Sequence, residues 1–89
     1  MKVTFDQAKD AANISKHGVS LADAVRLEWD ELLAKADNRA NYGEVRMVGY
    51  APIHDRLFCV VFTHRDGERR IISLRKANDR EVMSYANQD

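Results

Sequence analysis

The chain has 89 residues, of which 45% are hydrophobic and 31% charged, and its formal net charge at pH 7 is zero. This length predicts one small domain, residues 1–89, with one modest core, while the single proline and four glycines argue against disorder or a long linker. A net charge of zero also argues against simple nonspecific binding to nucleic acid.

The first third of the chain predicts a short strand followed by two helices. Residues 3–5 can form an edge strand, and Asp6 is a favourable N-cap for a helix over residues 7–17. Gly18 is placed to adopt the left-handed conformation that ends such a helix. Ser20 then caps a second helix, which would pack one side on the sheet. The residues assigned to that side are Leu21, Ala24, Val25, Glu28 and Trp29.

The middle of the chain predicts two strands. Residues 31–37 have a helix-favouring composition, but they stand before a turn-rich segment, and we therefore assign them to a strand. Residues 38–43 form a loop. Residues 44–51 alternate in character, as a half-exposed strand does, and residues 52–56 form the next turn.

The last part of the chain predicts a hairpin and a closing helix. Apolar runs over residues 57–62 and 71–74 flank a turn at Asp66-Gly67. Asn78 caps a helix over residues 79–88, with Val82 and Tyr85 turned inward. The resulting order, β-α-α-β-β-β-β-α, predicts an α+β domain in which helices flank a single antiparallel β-sheet.

The single cysteine, Cys59, lies inside the apolar run over residues 57–62 and is interpreted as a buried, unreactive thiol. One cysteine allows no internal disulfide. No apolar stretch approaches the roughly 20 residues of a membrane span, and no targeting leader opens the chain. We therefore expect a cytoplasmic protein without membrane contact.

Positive charge is concentrated towards the C-terminus. Residues 39–89 contain nine Lys or Arg against seven Asp or Glu, and eight of the nine are Arg. Arg75 is the leading candidate for a phosphate contact, because it stands where a core strand ends and the last helix begins. A guanidinium on a rigid strand presents a fork of donors that matches two phosphate oxygens.

Two further groups of residues have both a functional and a structural interpretation. Lys16 and His17 stand at the end of the first helix, where the helix dipole alone favours cations. Glu44 and Arg46 are two residues apart on a predicted strand, so both would project from one face. They form either part of a site or an ordinary solvated ion pair.

The residue inventory does not predict a metal or cofactor site. The histidines and Cys59 show no closely spaced pair of the zinc type, and no carboxylate cluster suits magnesium. Glycine-rich phosphate loops and nucleophile elbows are absent from the sequence. Arg, Lys, Glu and His together suit cleavage of a phosphodiester by an RNA 2′-hydroxyl, which requires a base, an acid and cations near the phosphate.

Four segments, in order, resemble the BrnT family of type II toxins. They are FDQAKDAANISKHGVS (residues 5–20), DNRANYGEVR (37–46), VVFTHR (60–65) and RIISLRKA (70–77), and they are followed by Glu81 and Tyr85. The resemblance implies a RelE-like ribonuclease fold and growth arrest by RNA cleavage. It also implies a cognate BrnA-like antitoxin with a ribbon-helix-helix part, through which alone the toxin would be brought to DNA.

We therefore predict a metal-independent endoribonuclease toxin that acts on ribosome-associated or on free RNA. Arg75 would stabilise the phosphate in the transition state, helped by Arg46 or Arg65. Glu44 is the candidate general base and His17 or Lys16 the candidate acid, with the exchanged assignment left open. The residues assigned to RNA binding are Lys16, Arg65, Arg70 and Lys76.

The last expectations are a structural role for two residues of the final helix and an alternative function for the chain. Glu81 and Tyr85 are assigned a structural role, holding the final helix against the strand that carries Arg75. The alternative function is a non-catalytic module that binds RNA or a protein, such as a degraded toxin that only binds its antitoxin.

Overall fold

A computed structural model describes residues 2–88 and shows an α+β architecture. The elements, in chain order, are β1 (Lys2–Phe5), α1 (Gln7–His17), two 3₁₀ helices η1 (Leu21–Arg26) and η2 (Trp29–Glu31), β2 (Leu33–Ala36), β3 (Met47–Ile53), β4 (Arg56–Arg65), β5 (Glu68–Lys76) and α2 (Asp79–Ala86). This order confirms the predicted one. Among residues 2–88, neither α-helix nor 3₁₀ helix has the length and apolar composition that crossing a bilayer requires.

The five strands form one sheet in the order β1-β5-β4-β3-β2. Strands β2 to β5 pair antiparallel with their neighbours, whereas β1 pairs parallel with β5. The sheet is therefore mixed, which corrects the expectation of a purely antiparallel one. The direction of β1 depends on how α1 and η1 return the chain to the sheet, and no short-range pattern encodes that path.

The N-terminal cap signals are confirmed. The Asp6 carboxylate accepts a hydrogen bond from the Lys9 amide, and Gly18 ends α1 with a φ of 71°. The second helix begins at its predicted cap, Ser20, but it is a 3₁₀ helix of six residues. Its start is also tied to α1, because the Asp10 carboxylate accepts hydrogen bonds from the Ser20 hydroxyl and the Leu21 amide.

The hydrophobic core lies between η1 and one face of the sheet. Leu21 and Ala24 of η1 are fully buried against this face, but Val25 is 68% exposed, so its predicted inward position is wrong. Trp29 of η2 packs edge-on against Phe62 of β4, with ring centroids 5.3 Å apart. The opposite face of the sheet is contacted by α2 and by loops, and the candidate site lies on that face.

Strand boundaries differ from prediction in the middle of the chain. β3 begins at Met47 and continues to Ile53, so Glu44 and Arg46 precede the strand and the same-face argument made for them is wrong. The predicted strand over residues 31–37 is confirmed as β2 (Leu33–Ala36). The β4–β5 hairpin turns at Asp66 and Gly67, as predicted, and both have a positive φ, as a tight hairpin turn requires.

The C-terminal helix α2 lies across the second sheet face. Asn78 and Glu81 form a capping box, which confirms the predicted start of α2. Val82 is 40% exposed, so its predicted inward position is wrong. Tyr85 is half-buried, and its hydroxyl donates a hydrogen bond to the Glu31 carbonyl of η2 at 2.6 Å.

Candidate functional site

A groove of about 680 Å³ opens on the sheet face opposite the core. Its walls come from the end of α1, from β2 to β5, from the segment after β2 and from α2. The charged and titratable residues that line it are Lys16, His17, Lys35, Asp37, Arg39, Tyr50, Cys59, Arg75 and Glu81. The structure thus combines five basic side chains with two carboxylates on one surface.

A buried asparagine places the end of α1 at this groove. Asn13 is 6% exposed, and its side-chain amide donates hydrogen bonds to the carbonyls of Leu74 and Val19. Its side-chain oxygen accepts a hydrogen bond from the Leu74 amide. Asn13 therefore satisfies the edge of β5 just beyond the end of β1, and it sets the last turn of α1 beside the strand residue that precedes Arg75.

Arg75 and Glu81 form a two-point ion pair on the floor of the groove. Arg75 Nη1 and Nη2 donate to Glu81 Oε1 and Oε2 at 2.8 and 2.9 Å, and Nη1 also donates to the Lys76 carbonyl at 3.2 Å. The Arg75 side chain is 34% exposed and that of Glu81 17%. A guanidinium carries five N–H donors. These contacts occupy three, which leaves the Nε–H and one Nη2–H of Arg75 as a second fork.

A tyrosine completes this ion pair. The Tyr50 hydroxyl donates to Glu81 Oε2 at 2.9 Å. Hydrogen bonds from Arg75, together with those from the Asn78 amide and Tyr50, lower the pKa of Glu81 to about 2 despite its burial. Burial, reinforced by the Glu81 carboxylate, raises the pKa of Tyr50 above its ordinary value. Glu81 is therefore a carboxylate that orients Arg75 and joins α2 to β5, in line with the structural role predicted for it.

A second arginine is held in a similar way on the other side of the groove. Arg39 Nε donates to Asp37 Oδ1 and Arg39 Nη2 donates to Asp37 Oδ2, both at 2.8 Å. The Tyr42 hydroxyl also donates to Asp37 Oδ2, at 3.3 Å. The Asp37 side chain is 3% exposed, whereas that of Arg39 is 78% exposed. The Arg39 contacts lower the pKa of Asp37 to about 2.

Cys59 lies beneath the groove, at the strand position directly opposite Arg75. It is 3% exposed, and burial raises the pKa of its thiol. The prediction of a buried cysteine is confirmed, and a thiol with a raised pKa is a poor nucleophile. Among the described residues 2–88, no three His, Cys, Asp or Glu side chains are grouped so that they could hold a metal ion.

The structure separates some predicted site residues from this groove. Glu44 pairs with Arg65, with Nη2 to Oε1 at 2.8 Å. Arg65 lies six residues along β4 from Cys59, a backbone separation of about 20 Å from the position of Arg75. Arg46 stacks on the Tyr42 ring, with its guanidinium carbon 4.0 Å from the ring centroid. Since Glu44 is held by Arg65, at about 20 Å along the sheet from the position of Arg75, Glu44 and Arg75 do not flank one phosphate.

An irregularity in β5 decides which face its arginines occupy. The β4–β5 register shifts between Val61 and Phe62. Strict alternation would put Arg69 on the face of Arg75, but the shift turns it to the core side, where it stacks on Trp29 at 4.1 Å. Arg70, paired with Thr63, shares the sheet face of the groove but lies nearer the hairpin. Lys76 is exposed at the end of β5 and alternates to the other face from Arg75.

The sequence alone did not assign Lys35, Asp37, Arg39 or Tyr50 to the site. Asp37 and Arg39 belong to the segment DNRANYGEVR, which carries part of the resemblance, and their spacing of two was the available signal. Lys35 reaches the groove because it pairs with Val48 on the neighbouring strand. That pairing depends on the register between β2 and β3, which the sequence does not reveal.

Comparison with known proteins adds one match. Residues 5–81 match the family model described as a ribonuclease toxin, BrnT, of type II toxin–antitoxin systems. The matched range includes every charged residue that lines the groove and ends at Glu81. The chain has no significant match among curated proteins.

Proposed function

The chain belongs to the BrnT family of ribonuclease toxins of type II toxin–antitoxin systems, and we propose that its groove cleaves RNA by metal-independent attack of a 2′-hydroxyl. The family assignment implies an RNA substrate and an antitoxin partner. The observation that carries the proposal is the position of Arg75. Its guanidinium is fixed by Glu81, retains a free two-donor fork, and lines one groove with Lys16 and His17.

In the proposed reaction, the 2′-oxygen attacks the adjacent phosphorus and the bond from phosphorus to the 5′-oxygen breaks. The products are a 2′,3′-cyclic phosphate and a 5′-hydroxyl, so no water or metal ion is needed to supply a nucleophile. The free Nε and Nη2 donors of Arg75 bind the phosphate oxygens, on which negative charge grows in the transition state.

Proton transfer is assigned to the end of α1. A neutral imidazole has a nitrogen that can accept a proton, and a lysine ammonium can donate one. In this scheme His17 takes the proton from the 2′-hydroxyl and Lys16 donates one to the leaving 5′-oxygen, with the exchanged roles as its variant. The sequence favoured Glu44 as the base, but its pairing with Arg65 places it at the far end of β4. Glu81 and Asp37 are unsuited as bases because an arginine binds both oxygens of each carboxylate, and these contacts also lower its pKa.

The remaining predicted RNA contacts are proposed to act outside the groove. Arg65 and Arg70 lie on the same sheet face as Arg75 but nearer the hairpin, where they would bind the RNA backbone as it leaves the groove. Arg46, stacked on Tyr42, holds the preceding loop. Lys76 lies at the end of β5 on the opposite face from Arg75, so it would bind only a phosphate that passes the edge of the sheet.

We propose a BrnA-like ribbon-helix-helix antitoxin as the partner, acting with the toxin in the cytoplasm. It would neutralise the toxin by covering the groove, and the toxin would meet DNA only through it. The support is the exposure of Lys16, Lys35 and Arg39 on one surface, since such a surface binds RNA unless a partner shields it.

The test is expression of the toxin with and without an antitoxin encoded by the neighbouring reading frame, scored for growth and RNA integrity. The proposal expects growth arrest and RNA cleavage by the toxin alone, and rescue by the antitoxin. A folded protein that binds the antitoxin but leaves RNA intact would support the non-catalytic alternative instead.

A further inference from the structure

Two arginines of the groove are each bound by a carboxylate that also accepts a hydrogen bond from a tyrosine. Arg75 is bound by Glu81, which also accepts a hydrogen bond from Tyr50. Arg39 is bound by Asp37, which also accepts one from Tyr42. The function proposed above uses only the first of these two groups.

The unused donors of Arg39 face away from its aspartate. Asp37 occupies the Nε–H and one Nη2–H, so both Nη1 hydrogens and the second Nη2–H remain unbound to protein. The side chain is 78% exposed and lines the groove. A nearly buried carboxylate that holds an exposed guanidinium on one edge leaves the other edge free to bind two oxygens of one phosphate.

The sheet places the two arginines on opposite sides of the groove. Arg75 is on β5 and Arg39 follows β2, and β4 and β3 lie between them. Three interstrand spacings separate the backbones of β5 and β2 by about 14 Å, and both arginine side chains extend from these two sides into the groove. An RNA strand that crosses the sheet strands from β5 to β2 would therefore bring different phosphates to the two guanidiniums.

We infer that Arg39, oriented by Asp37, is a second phosphate ligand, which binds the backbone of single-stranded RNA at a phosphate other than the scissile one. This inference rests on the proposed function. It makes Arg39 a binding residue and Asp37 its positioning residue. Because the contact is made equally before and during the reaction, its loss should raise KM and leave kcat nearly unchanged.

The experiment measures affinity for a single-stranded RNA oligonucleotide whose 2′-hydroxyls are replaced by fluorine, so that it cannot be cleaved. Fluorescence anisotropy is recorded over a range of NaCl concentrations. We expect Arg39→Ala to weaken binding about tenfold or more and to reduce the slope of log affinity against log salt by about 0.7, the value for one single-strand phosphate contact.

Three further variants test whether the effect is specific to the held guanidinium of Arg39. Arg26→Ala removes an exposed arginine that pairs with Asp23 outside the groove, and it should leave affinity and slope unchanged. Arg39→Lys should restore the slope but not the affinity. Asp37→Asn raises the net charge by one, so charge alone would tighten binding, whereas loss of the held fork should weaken it.

Two results would overturn the inference while leaving the proposed function intact. They are wild-type affinity and slope in Arg39→Ala, or tighter binding by Asp37→Asn, in a protein that still cleaves the 2′-hydroxyl form of the oligonucleotide. If the wild-type protein neither binds the fluorinated form nor cleaves the natural one, the proposed function itself fails. Thermal melting of each variant identifies any change that unfolds the chain.

Discussion

Glu81 binds Arg75 through both carboxylate oxygens, at 2.8 and 2.9 Å, and so joins α2 to the last sheet strand. None of the residues of α2, all of which lie in the described range, is buried. Its attachment therefore depends on this pair and on hydrogen bonds made by Tyr50 and Tyr85. Arg75 anchors the helix and, under the proposed function, would also bind the phosphate.

Substitution of Arg75 affects both roles, and comparison with a Glu81 variant separates them. Arg75→Ala removes a charge-assisted phosphate contact of about 1.5–3 kcal/mol, which corresponds to a loss of about 10–200-fold in the rate of RNA cleavage. Arg75→Lys should recover little activity, because an ammonium cannot reproduce the fork. Cleavage rate and melting temperature are measured together.

The matched control is Glu81→Gln, which weakens the attachment of α2 but keeps the guanidinium. It should melt at a temperature similar to that of Arg75→Ala while retaining more activity. If Arg75→Ala remains folded and fully active, Arg75 does not bind the scissile phosphate.

Acid should weaken the fold through the same carboxylates. The pKa of Glu81 and that of Asp37 are both about 2 in the folded chain, below their ordinary values of 4.5 and 3.8. Depressed carboxyl pKa values stabilise the fold fully above the ordinary pKa, and this contribution is lost as the pH falls towards 2. Urea unfolding at pH 6, 4 and 3 should show a declining free energy, with a shallower decline in Glu81→Gln. Parallel curves for the two proteins would contradict this assignment.

Asn13 should be needed for both stability and cleavage. Asn13→Ala leaves the Leu74 amide and carbonyl without their partner, at a cost of about 1–3 kcal/mol for each buried group. It also frees the end of α1, which carries Lys16 and His17, so activity should fall under conditions where the variant is still folded. Ser15→Ala, at an exposed site on the same helix, should change neither the free energy of unfolding nor the rate of RNA cleavage.

Gly49 allows β2 to approach β3 closely. A Cβ at this position would lie 2.7 Å from Leu32 Cδ1 and 2.8 Å from the Ala34 Cβ. Gly49→Ala should therefore displace β2 and cost about 1–3 kcal/mol of stability, and it should weaken RNA binding because Lys35 lies on β2. The double variant Gly49→Ala/Ala34→Gly should regain part of the loss. Unchanged melting of the single variant would show that β2 adapts freely.

The sequence predicted best those features that depend on neighbours in the chain. The Asp6 and Asn78 caps, the left-handed Gly18 and the Asp66-Gly67 turn each rest on a few consecutive residues, and all are confirmed. The position of Lys16 and His17 beside Arg75 was not predictable in this way, because it depends on the long-range contact between Asn13 and Leu74.

The errors arise where distant strands determine the outcome. Glu44 was interpreted as a strand residue, but β3 begins three residues later and Glu44 turns to Arg65. Arg39 and Arg75 line the same groove although β4 and β3 lie between their strands, so the Asp37-Arg39 spacing alone could not assign Arg39 to the site. Arg69 and Arg75 have the same parity in sequence, and only the register shift in β5 places them on opposite faces.

The chemical ends of the cleaved RNA test the central claim most directly. Purified wild-type protein is incubated with RNA in excess EDTA, and the termini of the products are identified. Attack by the 2′-hydroxyl in a groove of Arg, Lys and His side chains predicts 2′,3′-cyclic phosphate and 5′-hydroxyl ends, formed at an undiminished rate. Products with 3′-hydroxyl and 5′-phosphate ends, or cleavage that stops in EDTA and returns with magnesium or zinc, would contradict the mechanism.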